Sequence, residues 1–214
     1  MATEGLVDRS RFRGAPKGPL LLPVFLKLRG RKVLLVGGGR VASTKLETLL
    51  ETGARVTVVA PEIREDVCRP GVIVRRRPFE PDDLNGVWFA VAAATPEVNR
   101  QVEAAAEACR VFVNAADDPV AATAFLGAVI RRADVTVAIS TSGRSPALAA
   151  LLREAIESLL PDEAEASSWL AAAQGQRAKW RRLAVPITER RPLLLRTLNE
   201  LYGGRGSKSP PLTS

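Results

Sequence analysis

Six consecutive residues, Gly37-Gly38-Gly39-Arg40-Val41-Ala42, match G-x-G-x-x-A and stand between a short apolar run and an amphipathic stretch. In that setting Gly37 permits a tight turn, Gly39 lets the backbone approach a pyrophosphate, and Ala42 allows close helix packing. Free N–H groups and the helix dipole favour the anion. The run, Gly38 included, is assigned to a dinucleotide, against the competing reading of a glycine turn without ligand. The acid that such a site wants about 20 residues later for a ribose 2′-OH is not in its usual place. The second strand ends at Val59-Ala60-Pro61, with Glu62 just beyond, and Glu62 either reaches the ribose or is simply solvated. No arginine is obviously placed for a 2′-phosphate, which puts NAD ahead of NADP.

Two further places could carry chemistry. Asp117 and Asp118 follow an apolar run ending at Asn114, at the sheet edge where open α/β folds bind ligands. A carboxylate there can move protons, although Asp before Pro119 is also a common turn residue. The loop Ser140-Thr141-Ser142-Gly143-Arg144-Ser145 offers hydroxyls, amides and a guanidinium to an anion; N-capping by Ser145 explains part of it equally well. Arg75-Arg76-Arg77 reads as a solvated strand end, since no aromatic residues interleave with it as stacking platforms for nucleic acid.

What is missing narrows the chemistry. With no histidine among 214 residues, a Ser-His-Asp triad, an HExxH zinc site and an imidazole base are all excluded. Acid–base work falls to a carboxylate, Lys, Tyr or Cys. Cys68 and Cys109 form no CxxC, so no resident metal is expected, and reduced, buried thiols in a cytoplasmic protein are. The longest wholly apolar run, Val87 to Ala94, is far short of the roughly 18 residues a membrane span needs. The N-terminus lacks the order of a signal peptide.

The elements that must position these residues alternate short β-type runs with helical stretches, the pattern of a doubly wound parallel sheet. Strands are expected at Lys32 to Val36, Arg55 to Val59, Val72 to Arg75, Val87 to Ala92 and Val111 to Asn114, with helices after the first, closed by Gly53, and near Glu97 to Cys109. Val135 to Ser140 reads as a further strand. Ser145 then caps a helix with Pro146 at its first position and an apolar stripe of Leu148, Leu151, Leu152, Ile156 and Leu159, ended by Pro161. Residues 162–202 look wholly helical, broken at Pro186 and Pro192. Residues 1–19 and the tail from Gly203 are expected to be mobile.

From Pro23 to Pro161 the chain resembles the precorrin-2 dehydrogenase / sirohydrochlorin ferrochelatase family, the sirohaem-synthase N-terminal module. Four stretches carry the resemblance: PVFLKLRGRKVLLVGGGRVASTKLETLLETGARVTVVAPE, the Ala93-Ala94-Thr95 turn with Val98-Asn99, FVNAADDP, and VAISTSGRSPALAALLRE. The resemblance implies a Rossmann-type sheet over residues 20–117 that binds NAD, a small α+β dimerisation domain over 118–160, and a helical domain over 161–202, flanked by the leader 1–19 and the tail 203–214. It implies oxidation of precorrin-2 to sirohydrochlorin by NAD, in some members followed by ferrous iron insertion. It places the catalytic aspartate of the Asn-x-x-Asp-x-Pro stretch at Asp117, with Arg40, Val41, Ala60, Pro61, Glu62 and Thr95 at the cofactor. Asn114 and Ser140, Thr141, Gly143, Arg144 and Ser145 would face the polycarboxylated tetrapyrrole or its entrance.

Where some relatives have Ser-Ser-Gly-Gly, this chain has Thr141 and Ser142, which leaves any regulation at that hydroxyl open. Without the methyltransferase domain of fused sirohaem synthases, it is not expected to make precorrin-2 itself. An aspartate base and a held nicotinamide suffice for such an oxidation, whereas a His-free chain offers mainly oxygen donors to iron. The alternative is a non-enzymatic NAD-sensing module, which would need no Asp117. The net charge of +8 raises nucleic acid as a partner, but it sits on the flanks. Residues 1–32 carry 8 basic and 2 acidic side chains, and residues 161–214 carry 9 and 5, around a slightly acidic core. Neither nucleic acid nor membrane is expected as a partner.

Overall fold

The computed structural model describes residues 20–116 and 122–203, which fall into two compact units divided between Phe125 and Leu126. The first unit is built on β1 (Lys32–Val36), β2 (Arg55–Val59), β3 (Ile73–Arg75), β4 (Phe89–Ala92) and β5 (Phe112–Ala115). All are parallel, in the order β3-β2-β1-β4-β5. Parallel neighbours need long crossovers, and α1 (Arg40–Glu51) and α2 (Pro96–Cys109) supply two of them. Both faces of the central strand are therefore covered, which is why Val33 to Val36 are all buried instead of alternating with polar residues. Leu34, Val36, Ala90, Ala92 and Val113 pack on one face with Val102 and Ala106 of α2. By the two-residue strand period, Val33, Leu35 and Val91 take the other, and Leu46 and Leu49 are the buried leucines of α1.

Register aligns the functional edge. Val36 pairs with both Val59 and Ala92, and Ala92 with Ala115, so four strands end level. The chain order reverses between β1 and β4, and ligands of open α/β sheets bind at such a switch point, outside the carboxyl ends of the strands.

In the second unit β6 (Ala128–Arg132) and β7 (Val135–Ile139) form an antiparallel hairpin, and α3 (Pro146–Glu157) packs on it. α4 (Glu163–Arg182) and α5 (Ile187–Gly203) pack against each other. The cap at Ser145 forms as the sequence suggests, its hydroxyl accepting from the Leu148 amide at 3.2 Å. Asp162 caps α4 by accepting from the Glu165 amide at 2.8 Å. Glu163 and Glu165 open that helix, and Lys179, Arg181 and Arg182 close it, each charge opposing the nearer pole of the helix dipole.

Several expectations are corrected. Leu148, Leu151 and Leu152 of α3, and Leu159 beyond its end, are exposed, so the stripe is an outer surface of this unit and not its core. α3 ends at Glu157, four residues before Pro161. Pro192 lies inside α5 and does not break it. β6 had no clear signal, because Ala128–Arg132 ends in two charged residues and shows no alternation. Cys68 and Cys109 are free but exposed. Each sits at the end of a helical turn facing outward, where its own hydrophobicity decides nothing. The leader 1–19 and residues 204–214 of the tail lie outside the described residues.

Candidate functional site

At the end of β1 the sheet ladder continues into the loops: the Gly37 amide donates to the Val59 carbonyl at 3.0 Å, the Ala93 amide to Val36 at 2.8 Å, and the Ala116 amide to Ala92 at 2.9 Å. The turn is sterically exacting at two positions. Gly37 has φ +129°, and a Cβ there would stand 2.2 Å from the Ala93 carbonyl oxygen. At Gly38 a Cβ would stand 2.0 Å from the Glu62 carbonyl oxygen and 2.7 Å from the Ile63 Cα. No side chain fits at either place.

Gly39 differs, since nothing lies within 4 Å of the space its Cβ would fill. It is the N-cap of α1 and provides no side-chain cap; no acid stands in the first turn. The first helical bond runs from the Ser43 amide to the Gly39 carbonyl at 3.0 Å, so the amides before it have no partner within the helix. Ala42 is wholly buried and lets that helix end come close to the sheet. Arg40 and Val41 are exposed beside the cap.

Beside the turn is a cavity of about 430 Å³, lined by Gly38, Gly39, Glu62, Ile63 and Arg64. Its Glu62–Arg64 wall is held firmly: the Arg64 amide donates to Gly38 O at 3.0 Å, and Arg76 Nη1 donates to the Ile63 carbonyl at 3.1 Å. Ala60 is buried, its amide bonded to the Arg75 carbonyl at 3.2 Å, and Pro61 is exposed; neither lines the cavity. An arginine that the sequence did not single out, Arg64, lines the cavity. Position alone hid it, two residues beyond the acid in a segment without strand or helix pattern.

Arg64 grips Asp66 through Nε and Nη2 at 3.0 and 3.2 Å, and Ser43 Oγ of α1 donates to Asp66 at 3.0 Å. The Arg64 guanidinium foremost holds the Asp66 carboxyl below its ordinary value. Open space at Gly39, a helix start without a side-chain cap and the adjoining cavity form a fitting seat for a dinucleotide pyrophosphate. The residues that would hold it are Gly38, Gly39 and the first amides of α1.

The other predicted residues have local duties. Thr95 caps α2, its hydroxyl accepting from the Val98 amide at 3.5 Å, and the buried Asn99 accepts from the Ala94 amide at 3.0 Å through Oδ1. Together they fix the turn against which Gly37 packs. Asn114, buried in β5, donates through Nδ2 to the Ala124 carbonyl at 3.0 Å. Thr123 Oγ1 accepts from the Val113 amide at 2.8 Å. These bonds draw 123–124 back beside β5 and were not anticipated, since a lone Thr in an irregular segment carries no pattern. Asp117 and Asp118 lie outside the described residues.

In the second unit Ser142 and Gly143 both have positive φ, and the Arg144 amide closes the turn on the Thr141 carbonyl at 3.1 Å. The Thr141 hydroxyl is committed to Ser145, accepting from its amide at 3.2 Å and donating to its carbonyl at 2.9 Å. Ser140 Oγ accepts from the Ser142 amide at 3.1 Å, and the Arg144 side chain is exposed. In the first unit Arg75 and Arg77 both donate to the buried Asp83 at 2.6 Å, so two of the three consecutive arginines are committed to an ion pair. Among the described residues no group of three His, Cys, Asp or Glu side chains could hold a metal ion, and no helix is long and apolar enough to cross a membrane.

Comparison with known proteins gives two sequence-family matches: one described as putative NAD(P)-binding over residues 24–128, and one described as sirohaem biosynthesis protein central over residues 132–159. The chain is similar to Siroheme synthase 3 of Aeromonas hydrophila, at 40% identity over 165 residues, which is 75% of this chain and 35% of that protein. It is 46% identical to Siroheme synthase of Citrobacter koseri over 145 residues, covering 65% of this chain and 32% of the other. The chain thus spans about a third of the length of these relatives. Among solved structures it is similar to SirC, precorrin-2 dehydrogenase, with a TM-score of 0.66 and 28% identity, covering 86% of this chain and 93% of that one.

Proposed function

From membership of the sirohaem-synthase N-terminal family, the precorrin-2 dehydrogenase / sirohydrochlorin ferrochelatase group to which this chain belongs, we propose that the protein oxidises precorrin-2 to sirohydrochlorin with NAD. The observation that carries the reading is the seat at the end of β1, where Gly38 and Gly39 bring backbone, not side chains, to the mouth of the cavity. When bound there, NAD supplies a hydride acceptor. The protein orients: the α1 amides take the pyrophosphate, Glu62 the ribose, and the turn fixed by Thr95 and Asn99 borders the same sheet edge.

Loss of hydride from a tetrapyrrole carbon leaves a proton to be removed. In a chain without histidine, Asp117 is the base in this proposal. Ala116, bonded to Ala92 at that edge, is the residue next to it in the chain. The Ser140 to Ser145 loop, with its exposed Arg144, is assigned to the substrate's carboxylates. The region 118–160 is assigned to a homodimer, for which the exposed Leu148, Leu151 and Leu152 of α3 provide an apolar face. A single-protomer mass by light scattering at micromolar concentration would remove the dimer.

The experiment is direct. Purified protein with NAD and precorrin-2 should develop the absorbance of sirohydrochlorin, and Asp117→Ala should abolish it while NAD still binds with nearly unchanged affinity. Normal turnover in that variant would sink the assignment. NAD binding with no turnover in the parent would favour a sensing module. Ferrous iron insertion is a separate second activity, read anaerobically as metallation of sirohydrochlorin above a no-protein control.

A further inference from the structure

The dinucleotide cavity contains a cation that the proposed NAD site does not use. Arg64 stands on the same wall as Glu62, and its amide is tied to the glycine turn, so its side chain starts from a fixed point at the mouth. Yet its guanidinium is turned onto Asp66 through Nε and Nη2. A carboxylate gripped in this forked manner occupies the donors that a phosphate would take.

Asp66 cannot follow the guanidinium towards the cavity. It belongs to the single helical turn Glu65–Val67, is bonded by Ser43 of α1, and has its carbonyl held by Arg69 Nε at 2.7 Å. Among the described residues Glu62 enters no ion pair, which leaves its carboxylate to favour a ribose diol and to repel a phosphate. One wall thus presents an acid to the ligand, and an arginine withheld from it.

We propose that Arg64 is a latent 2′-phosphate site held shut by Asp66, so that this one ion pair helps to set the preference for NAD over NADP. The inference rests on the dinucleotide reading above. Because the Arg64 and Asp66 side chains are 56% and 42% exposed, the pair is weak. Its effect belongs in the ratio of two ligand affinities, not in folding.

The test measures dissociation constants for NAD and NADP by titration calorimetry on the full chain, with no substrate present. The unaltered protein should bind NAD more tightly than NADP. Asp66→Asn should leave NAD affinity unchanged and tighten NADP by about three- to tenfold, the worth of one freed charge-assisted contact. The gain should vanish in the Arg64→Gln background. If Asp66→Asn does not fold, judged by circular dichroism, Asp66→Ala takes its place in both backgrounds.

An equal gain with and without Arg64 would show Asp66 acting only as a repelling charge and would overturn the proposal. So would no gain, or equal affinity for both dinucleotides in the unaltered protein; both results leave the dinucleotide reading intact. Failure to bind either dinucleotide would instead remove the proposed function, and this inference with it.

Discussion

Gly38 and Gly39 are adjacent and chemically identical, yet an added methyl group should act on them in opposite ways. At Gly38 it would collide with the backbone of Glu62 and Ile63, atoms that are part of the cavity wall and cannot rotate away. Gly38→Ala should therefore destabilise the protein by about 1–3 kcal/mol, as overpacking does, and lower the melting temperature. At Gly39 the methyl meets nothing, and the backbone there lies at φ −89°, which any residue adopts. Gly39→Ala should cost no more than the ~1 kcal/mol of an alanine at an N-cap, and bind NAD at least tenfold more weakly, because the methyl occupies the space offered to the pyrophosphate. Equal melting temperatures for the two variants would contradict the geometry. The motif in the sequence identifies both glycines without separating them, since the atoms that make Gly38 indispensable lie 24 residues further along the chain.

Between β3 and the single turn Pro81–Leu84 the fold depends on a charge that sequence reading did not single out. Asp83 accepts from Arg75, from Arg77 and from the Glu80 amide, and its side chain is 1% exposed. Burial pushes its pKa up, but the bonds from Arg77, the Glu80 amide and Arg75 outweigh that, and the net pKa is lowered. The clasp thus contributes fully above the unfolded value, near pH 4, and is lost as pH falls through the lower folded value. Asp83→Ala should cost about 2 kcal/mol at neutral pH, since it removes the buried acceptor that Arg75, Arg77 and the Glu80 amide share. It should also flatten the fall in stability below pH 4, as read by urea unfolding across the range. An unaltered acid limb would mean that other carboxylates carry it. β1, β2 and the Ser145 cap were legible because apolar runs and capping residues are local signals. The Asp83 clasp, the return of Thr123 to Val113 and the Arg64–Asp66 pair were not, since each depends on which loops the sheet order makes neighbours. The stripe on α3 shows the converse: an apolar period reveals a face but not what covers it.

At the scale of the whole molecule, the net charge of +8 is uneven in a way that bears on the proposed substrate. The α4 and α5 helices carry Lys179, Arg181 and Arg182 in one last turn, with Arg190 and Arg191 soon after. Precorrin-2 presents several carboxylates, whereas NAD in this reading is held mainly by backbone amides in a walled seat. Exposed charges act over a Debye length of about 10 Å at 0.1 M salt, so the two ligands should respond differently to ionic strength. The KM for precorrin-2 should rise severalfold between about 0.05 and 0.3 M salt, while the dissociation constant for NAD changes little. Reversing two of these charges together, Arg181→Glu with Arg182→Glu, should raise the low-salt KM and flatten its salt dependence, with kcat preserved. Unchanged KM values in that double variant would separate the basic helical end from the substrate and leave its charge to solubility alone.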